Sequence, residues 1–257
     1  MNIILITGAS SGIGREFAFQ LDPYFKNIDE FWLIARRESG LKKTAECLRH
    51  KFRVIPMDIT DPNSLDALED QLIEQNAVVR MLVNCAGFGL MGAFSEQPTE
   101  SAMAMIRLNC EALTEMTHRM IPYMRKNSRI IQLASSAAFL PQPDFAVYAA
   151  TKAYVLSFSR ALNEELRPLR IAVTSVCPGP VDTPFFEIAE QTGSTLKLKK
   201  YVMAFAEQVV EQAIRDSYYR RSMSVYSLPI KAFHVLAKAV PHDVLLGAMG
   251  LLKKKGF

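Results

Sequence analysis

Tyr148 and Lys152 stand four residues apart in a segment of helical periodicity, which puts a phenol and an ammonium on one face. A free tyrosine keeps its proton up to a pH of about 10, too high for easy exchange at neutrality. A neighbouring positive charge favours the phenolate, so the pair is a candidate proton donor and acceptor. Taken alone, the same spacing also suits two solvated neighbours. Its surroundings favour chemistry. Ser135 ends an apolar run thirteen residues before Tyr148, with Ser136 competing for the same role. Asn84-Cys85-Ala86-Gly87 and Pro178-Gly179-Pro180-Val181-Asp182-Thr183 close two further apolar runs. Polar and turn residues at the ends of several strands point to a shared cleft.

A phosphate cradle stands near the start. Thr7-Gly8-Ala9-Ser10-Ser11-Gly12-Ile13-Gly14 follows the first apolar run and opens a helix. Glycines there permit a tight turn and close approach to a pyrophosphate, which the helix N-terminus holds through free N–H groups and its dipole. In isolation a Gly-rich turn of this GxxxGxG spacing is equally a plain connection. The second apolar run ends Ala35-Arg36-Arg37, where an NAD site presents an acid and an NADP site an arginine. Two guanidiniums and no carboxylate predict NADP(H), with Arg36 nearer the strand and Ser10 adding a hydroxyl. Solvated surface arginines are the alternative.

The elements that must position these residues follow from periodicity. Apolar or β-branched runs at Ile3–Thr7, Phe31–Ala35, Phe52–Met57, Val79–Asn84, Arg129–Ala134 and Ile171–Cys177, with a weaker Ser222–Tyr226, read as buried parallel strands. Helices are predicted at 12–22, 41–50, 61–75, 99–126, 147–167 and 205–219. The alternation predicts a single α/β domain over 1–257, a Rossmann-like, doubly wound, seven-stranded parallel sheet with helices on both faces. Residues 183–204 break the pattern and read as a loop or lid. Residues 229–257 read as a C-terminal extension of two short helices, the second introduced by Pro241-His242-Asp243.

Composition limits the alternatives. In 257 residues, 49% are apolar and 22% charged, and the net charge of +4 gives no general nucleic-acid footprint. Cys47, Cys85, Cys110 and Cys177 show no CxxC spacing and read as buried free thiols. His50, His118, His234 and His242 have no ligand spacing, so no metal is expected. No apolar stretch is long enough for a membrane span, and no export signal is read at the N-terminus, so a cytoplasmic location is expected.

Together these residues resemble the short-chain dehydrogenase/reductase family in its short, single-domain branch. TGASSGIG at 7–14, Asp58, NCAG at 84–87, Asn109, Ser135, Tyr148-x-x-x-Lys152 and PGxxxT at 178–183 match in order and spacing over about residues 1–220. The resemblance implies that Tyr148 is the general acid/base, that Lys152 lowers its pKa and holds the nicotinamide ribose, and that Ser135 polarises the substrate oxygen. Asn109 would anchor a water in the proton relay. Asp58 and Ile59 would flank the adenine, and Pro178, Gly179, Val181 and Thr183 would hold the nicotinamide end. Asn84, Ala86 and Gly87 would complete the cofactor cleft. Asn84-Cys85 departs from the commoner Asn-Asn, and Ala138 stands where glycine is frequent. The chain also lacks the aspartate-glycine-glycine motif that supports tetramers in many relatives.

In the tail, Ile230, Phe233, Ala237 and Val240 form one apolar stripe, and Leu245, Met249 and Leu252 another, ahead of three lysines. Core or subunit packing is the first reading, with a homo-dimer or tetramer expected; peripheral membrane contact and cover for the cleft are the others. Phe88, Leu90, Met91, Phe139, Gln142, Phe145, Phe185 and Phe186 are pocket candidates, which suits a hydrophobic ketone or aldehyde and its alcohol. A 3-oxoacyl thioester reductase and a non-catalytic NADP-binding sensor are the competing functions.

Overall fold

Apolar side chains on both sides of the central strands require cover on both faces of the sheet, and the fold supplies it. A computed structural model describes residues 1–190 and 203–254. The strands β1 (Asn2–Thr7), β2 (Glu30–Ala35), β3 (Lys51–Pro56), β4 (Val78–Asn84), β5 (Arg129–Leu133), β6 (Ala172–Val176) and β7 (Met223–Ser224) form one seven-stranded sheet in the order β3-β2-β1-β4-β5-β6-β7. All pairings are parallel. The strand order reverses between β1 and β4, which opens a crevice at their carboxyl ends.

Ile3, Leu5, Trp32, Ile34, Leu82 and Ile130 point to one face. They meet Leu65, Leu68 and Leu72 of α3 (Pro62–Glu74), with Met116 and Met120 of α5 (Leu113–Met120). Ile4, Ile6, Phe31, Leu33, Val83 and Ile131 point to the other face. There they meet Phe17 and Leu21 of α1 (Gly12–Tyr24), Leu41 of α2 (Glu38–Ala45) and Val209 and Val210 of α8 (Ala206–Tyr218).

Four expectations shift. The second helix runs over Glu38–Ala45 and not 41–50: Gly40 packs inside it against Ser10, and the carboxylate of Asp22 binds the backbone N–H groups of Arg49 and His50 in a turn. The helix expected over 99–126 is divided into α4 (Thr99–Ile106), a π-helical turn (Arg107–Ala112), α5 and a 3₁₀ turn (Ile121–Tyr123). The edge strand β7 keeps only Met223–Ser224. Cys47 is exposed, Cys85 and Cys110 are half-buried and Cys177 is buried, so the expectation of four buried thiols fails at Cys47.

Between α6 (Ala146–Glu165) and α8, the short helix α7 (Phe185–Ala189) occupies part of the expected loop, and Val181 bridges to Ala204 at its base. Residues 191–202 of that loop lie outside the described residues. The extension folds as α9 (Leu228–Ala239) and α10 (His242–Lys254). The side chain of Leu252 and those of the three lysines after it lie outside the described residues. Among the described residues no helix is long and apolar enough to cross a membrane.

Candidate active site

The carboxyl ends of the strands open into a cleft of about 1530 Å³. At one end, β1 passes through Gly8 (φ +70°) and Gly12 (φ +54°) into α1. A Cβ on Gly8 would lie 2.8 Å from the Ala86 nitrogen, and one on Gly14 would strike the Gly8 carbonyl. The turn therefore has no room for side chains at either point. Ser11 stands at the helix N-cap in extended geometry and makes no capping bond, and the first turn holds no acid. The N–H groups there remain available to an anion. Neighbours brace the turn: the Thr44 hydroxyl donates to the Ala9 carbonyl at 2.9 Å, and the Thr7 hydroxyl oxygen accepts from Cys85 and Ala86 N–H at 3.2 Å each.

Arg36 and Arg37 are exposed beside this turn, and neither guanidinium has a hydrogen-bonded partner among the described residues. Burial pushes the Asp58 carboxyl up, but bonds from the Thr60 N–H and hydroxyl, with Arg36 nearby, outweigh it and hold the group below its ordinary value. Ser10, Ile13, Ile59, Ala86, Gly87, Pro178, Gly179, Val181 and Thr183 also line the cleft. This end suits a dinucleotide with an extra phosphate: backbone N–H groups face the pyrophosphate position and free guanidiniums stand at the rim.

At the other end Tyr148 is 7% exposed. Its ring stacks on Phe145 at 4.3 Å and meets Phe185 at 5.4 Å, while a Cβ on Gly89 would come within 2.6 Å of its Cδ2. The ring is clamped and only the hydroxyl end is free to react. Ser135 caps the 3₁₀ turn Ser136–Phe139, its oxygen accepting from the Ala137 N–H at 3.1 Å. Ser136 lines the cleft too, and its N–H is tied to the Pro178 carbonyl at 2.7 Å. Burial pushes the Tyr148 phenol up to about 12, and hydrogen bonding with Ser135 offsets only part of this.

Lys152 is buried one helical turn after Tyr148. Its Nζ donates to the Leu133 carbonyl at 2.7 Å and lies 5.6 Å from the Tyr148 ring. Burial lowers its own pKa to about 8. Desolvation of the phenolate is the largest effect on the Tyr148 pKa.

Two predicted residues stand behind the cleft wall. The Asn84 amide donates to Thr117 and Gln132 in the buried sheet layer, and its Oδ1 has no partner. Asn109, buried in the π-helical turn, accepts from the Phe88 N–H and donates to the Phe88 carbonyl and Thr151 hydroxyl. It clamps the loop after β4, and Gly87 leaves it room, since a Cβ there would lie 2.9 Å from Asn109 Oδ1. Of the pocket candidates, Phe88, Met91, Gln142, Phe145, Phe185 and Phe186 line the cleft. Leu90 and Phe139 do not. Phe139 is turned into the tail, against Phe233 and His234.

Sequence reasoning missed Arg107, which lines the cleft, is exposed and whose guanidinium has no hydrogen-bonded partner among the described residues. It also missed Gly40 and Thr44, and the bracing role of Thr7 within the cradle, because these roles are set by contacts distant in sequence.

Comparison with known proteins agrees with this geometry. Residues 2–193 match the family model described as short chain dehydrogenase. An uncharacterized oxidoreductase of Staphylococcus epidermidis is 33% identical over 72% of this chain and 80% of its own. An NADP-dependent 3-hydroxy acid dehydrogenase of Schizosaccharomyces pombe is 32% identical over 71% of this chain and 72% of its own. A short-chain dehydrogenase from Sphingobium yanoikuyae, solved in complex with NADPH, superposes with a TM-score of 0.78 at 30% identity, covering 99% of this chain and 96% of the other.

Proposed function

Since the chain belongs to the short-chain dehydrogenase/reductase family and is an NAD(P)-dependent oxidoreductase, we propose that it reduces hydrophobic ketones or aldehydes, or oxidises their alcohols, with NADP(H). The observation that carries the substrate class is the apolar wall beside Tyr148, made by Phe88, Met91, Phe145, Phe185 and Phe186. When bound, the nicotinamide supplies or accepts the hydride.

The residues supply position and one proton. Ser135 holds the substrate oxygen, and the Tyr148 hydroxyl delivers its proton to that oxygen during reduction. A phenol kept neutral by burial is in the right form to donate. Stacking on Phe145 and Phe185 fixes the donor's direction. Gly8, Ser11, Gly12 and Gly14 seat the pyrophosphate, and Arg36, with Arg37 and Ser10, takes the 2′-phosphate. Asp58 and Ile59 flank the adenine, and Pro178 to Thr183 border the nicotinamide. Asn109 is a positioning residue, acting through Phe88 and Thr151.

Arg107 favours a second reading, reduction of a 3-oxoacyl group carrying a carboxylate or a phosphate-bearing thioester, for which a free guanidinium in the cleft is a partner. One experiment separates the two: NADPH and NADH consumption across ketones, aldehydes and acyl thioesters, with Tyr148→Phe as control. Turnover of apolar ketones with NADPH, lost in the variant, is the expected result. Turnover of acyl thioesters alone moves the assignment to the second reading. NADPH binding without turnover in either direction overturns both in favour of a sensor.

A further inference from the structure

The family match ends at residue 193, yet part of the cleft is built by residues far beyond it. Leu246, Met249 and Gly250 of α10 line the same cleft as Tyr148 and Phe185. They stand at i, i+3 and i+4, one stripe of a helix, while Val244 and Leu251 of the same helix are 61% and 65% exposed. The stripe carries no charge. We propose that α10 is the wall that sets how bulky a substrate the cleft admits, with Leu246, Met249 and Gly250 as specificity-determining residues. The proposal rests on the carbonyl-reductase reading above.

The wall is held by contacts with the reacting end. Ile230 of α9 fills the space over Gly179, where a Cβ would come within 2.7 Å of Ile230 Cδ1. Phe139, in the turn that follows Ser135, lies 4.5 Å from the His234 ring and 6.1 Å from that of Phe233. Leu245 and Met249 pack on the buried cluster that contains Phe139, Val155 and Ile230. The pair α9–α10 is therefore docked on the turn after Ser135 and on the turn after β6.

Gly250 shows what the wall leaves open. A Cβ there would meet nothing within 4 Å. Glycine inside a helix costs about 0.5–1 kcal/mol relative to alanine, and here no close contact requires it. Its small size leaves volume in the cleft, and a large side chain would take that volume from the substrate. Gly247 is the matched control: its Cβ position is equally open, it lies on the same helix, and it does not line the cleft.

The test compares a bulky aryl ketone with a short aliphatic aldehyde, using the full chain and NADPH. Gly250→Phe is expected to lower kcat/KM for the aryl ketone about ten-fold or more relative to the aldehyde. NADPH affinity should hold, and Gly247→Phe should leave the ratio where it was. Met249→Ala is expected to move the ratio the opposite way. An unchanged ratio in Gly250→Phe, or an equal change in Gly247→Phe, overturns the wall. Should the parent turn over no carbonyl or alcohol, the reductase reading fails on its own. The wall is then read by calorimetry of the aryl ketone on NADPH-loaded protein, where undiminished binding by Gly250→Phe, or no binding by the parent, overturns it.

Discussion

Tyr148 shows how one buried side chain combines two demands. Packing between Phe145 and Phe185 aims the hydroxyl, and the same burial raises its pKa to about 12. Without added cofactor, a spectroscopic titration should therefore find one tyrosine, lost in Tyr148→Phe, ionising above the ordinary value of about 10. Ionisation at or below that value would overturn the burial argument. Lys152 shifts in the other direction, to about 8 from 10.5. Between those values the unfolded chain binds more protons at this site than the folded one, so stability rises with pH. Burial raises Cys85 and Cys177 to about 12 and so opposes that rise above pH 9. The Lys152 contribution is therefore read as a difference: urea unfolding should find the parent gaining stability relative to Lys152→Met between pH 8 and pH 10. Arg36 carries the cofactor prediction. Losing a charge-assisted bond of about 1.5–3 kcal/mol, Arg36→Ala should raise the KM for NADPH about ten- to hundred-fold and leave that for NADH nearly unchanged.

At the scale of elements, the cleft depends on connections that hold the helices in register with the sheet. Asp22, 4% exposed at the end of α1, accepts from the N–H groups of Arg49 and His50 at 3.0 Å and pairs with the His50 ring at 2.8 Å. Burial pushes its carboxyl up, but the N–H groups of His50 and Arg49 and the His50 ring outweigh this and lower it beneath 3.8. A depressed carboxyl stabilises above its unfolded value and loses that contribution as pH falls through its folded value. Asp22→Asn should cost about 1–3 kcal/mol at neutral pH. Chemical denaturation should show that difference shrinking in acid, and a pH-independent difference would contradict the charge argument. The π-helical turn works in the same way: it turns Asn109 inward to hold both polar groups of Phe88.

For the whole molecule, the extension packs on the body of the fold. Ile230, 8% exposed, joins Phe139, Val155 and Cys177 in one buried cluster. Ile230→Ala should cost about 2–5 kcal/mol in urea unfolding, because the cavity would be bounded by Gly179 and cannot readily close. Substitution of Val235, 64% exposed on the same helix, should stay within about 0.5 kcal/mol. Equal effects at the two sites would mean that α9 is not docked as described.

Sequence alone determined the sheet and the glycine turn after β1, and it singled out Ser135, Tyr148 and Lys152, which the fold brings to one cleft. Strand burial leaves unbroken apolar runs, a turn against phosphate demands glycine, and a tyrosine–lysine pair at helical spacing reports its shared face directly. These signals are local, so spacing preserves them. Tertiary structure alone decided that Asn84 is pinned behind the cleft by Thr117 and Gln132, that Phe139 faces the tail, and that Leu246, Met249 and Gly250 reach the cleft. It also placed the ammonium, since spacing shows that Lys152 is near Tyr148 but not that its Nζ is bonded to the Leu133 carbonyl. Burial and long-range pairing belong to the assembled chain, and no local pattern of residues encodes them.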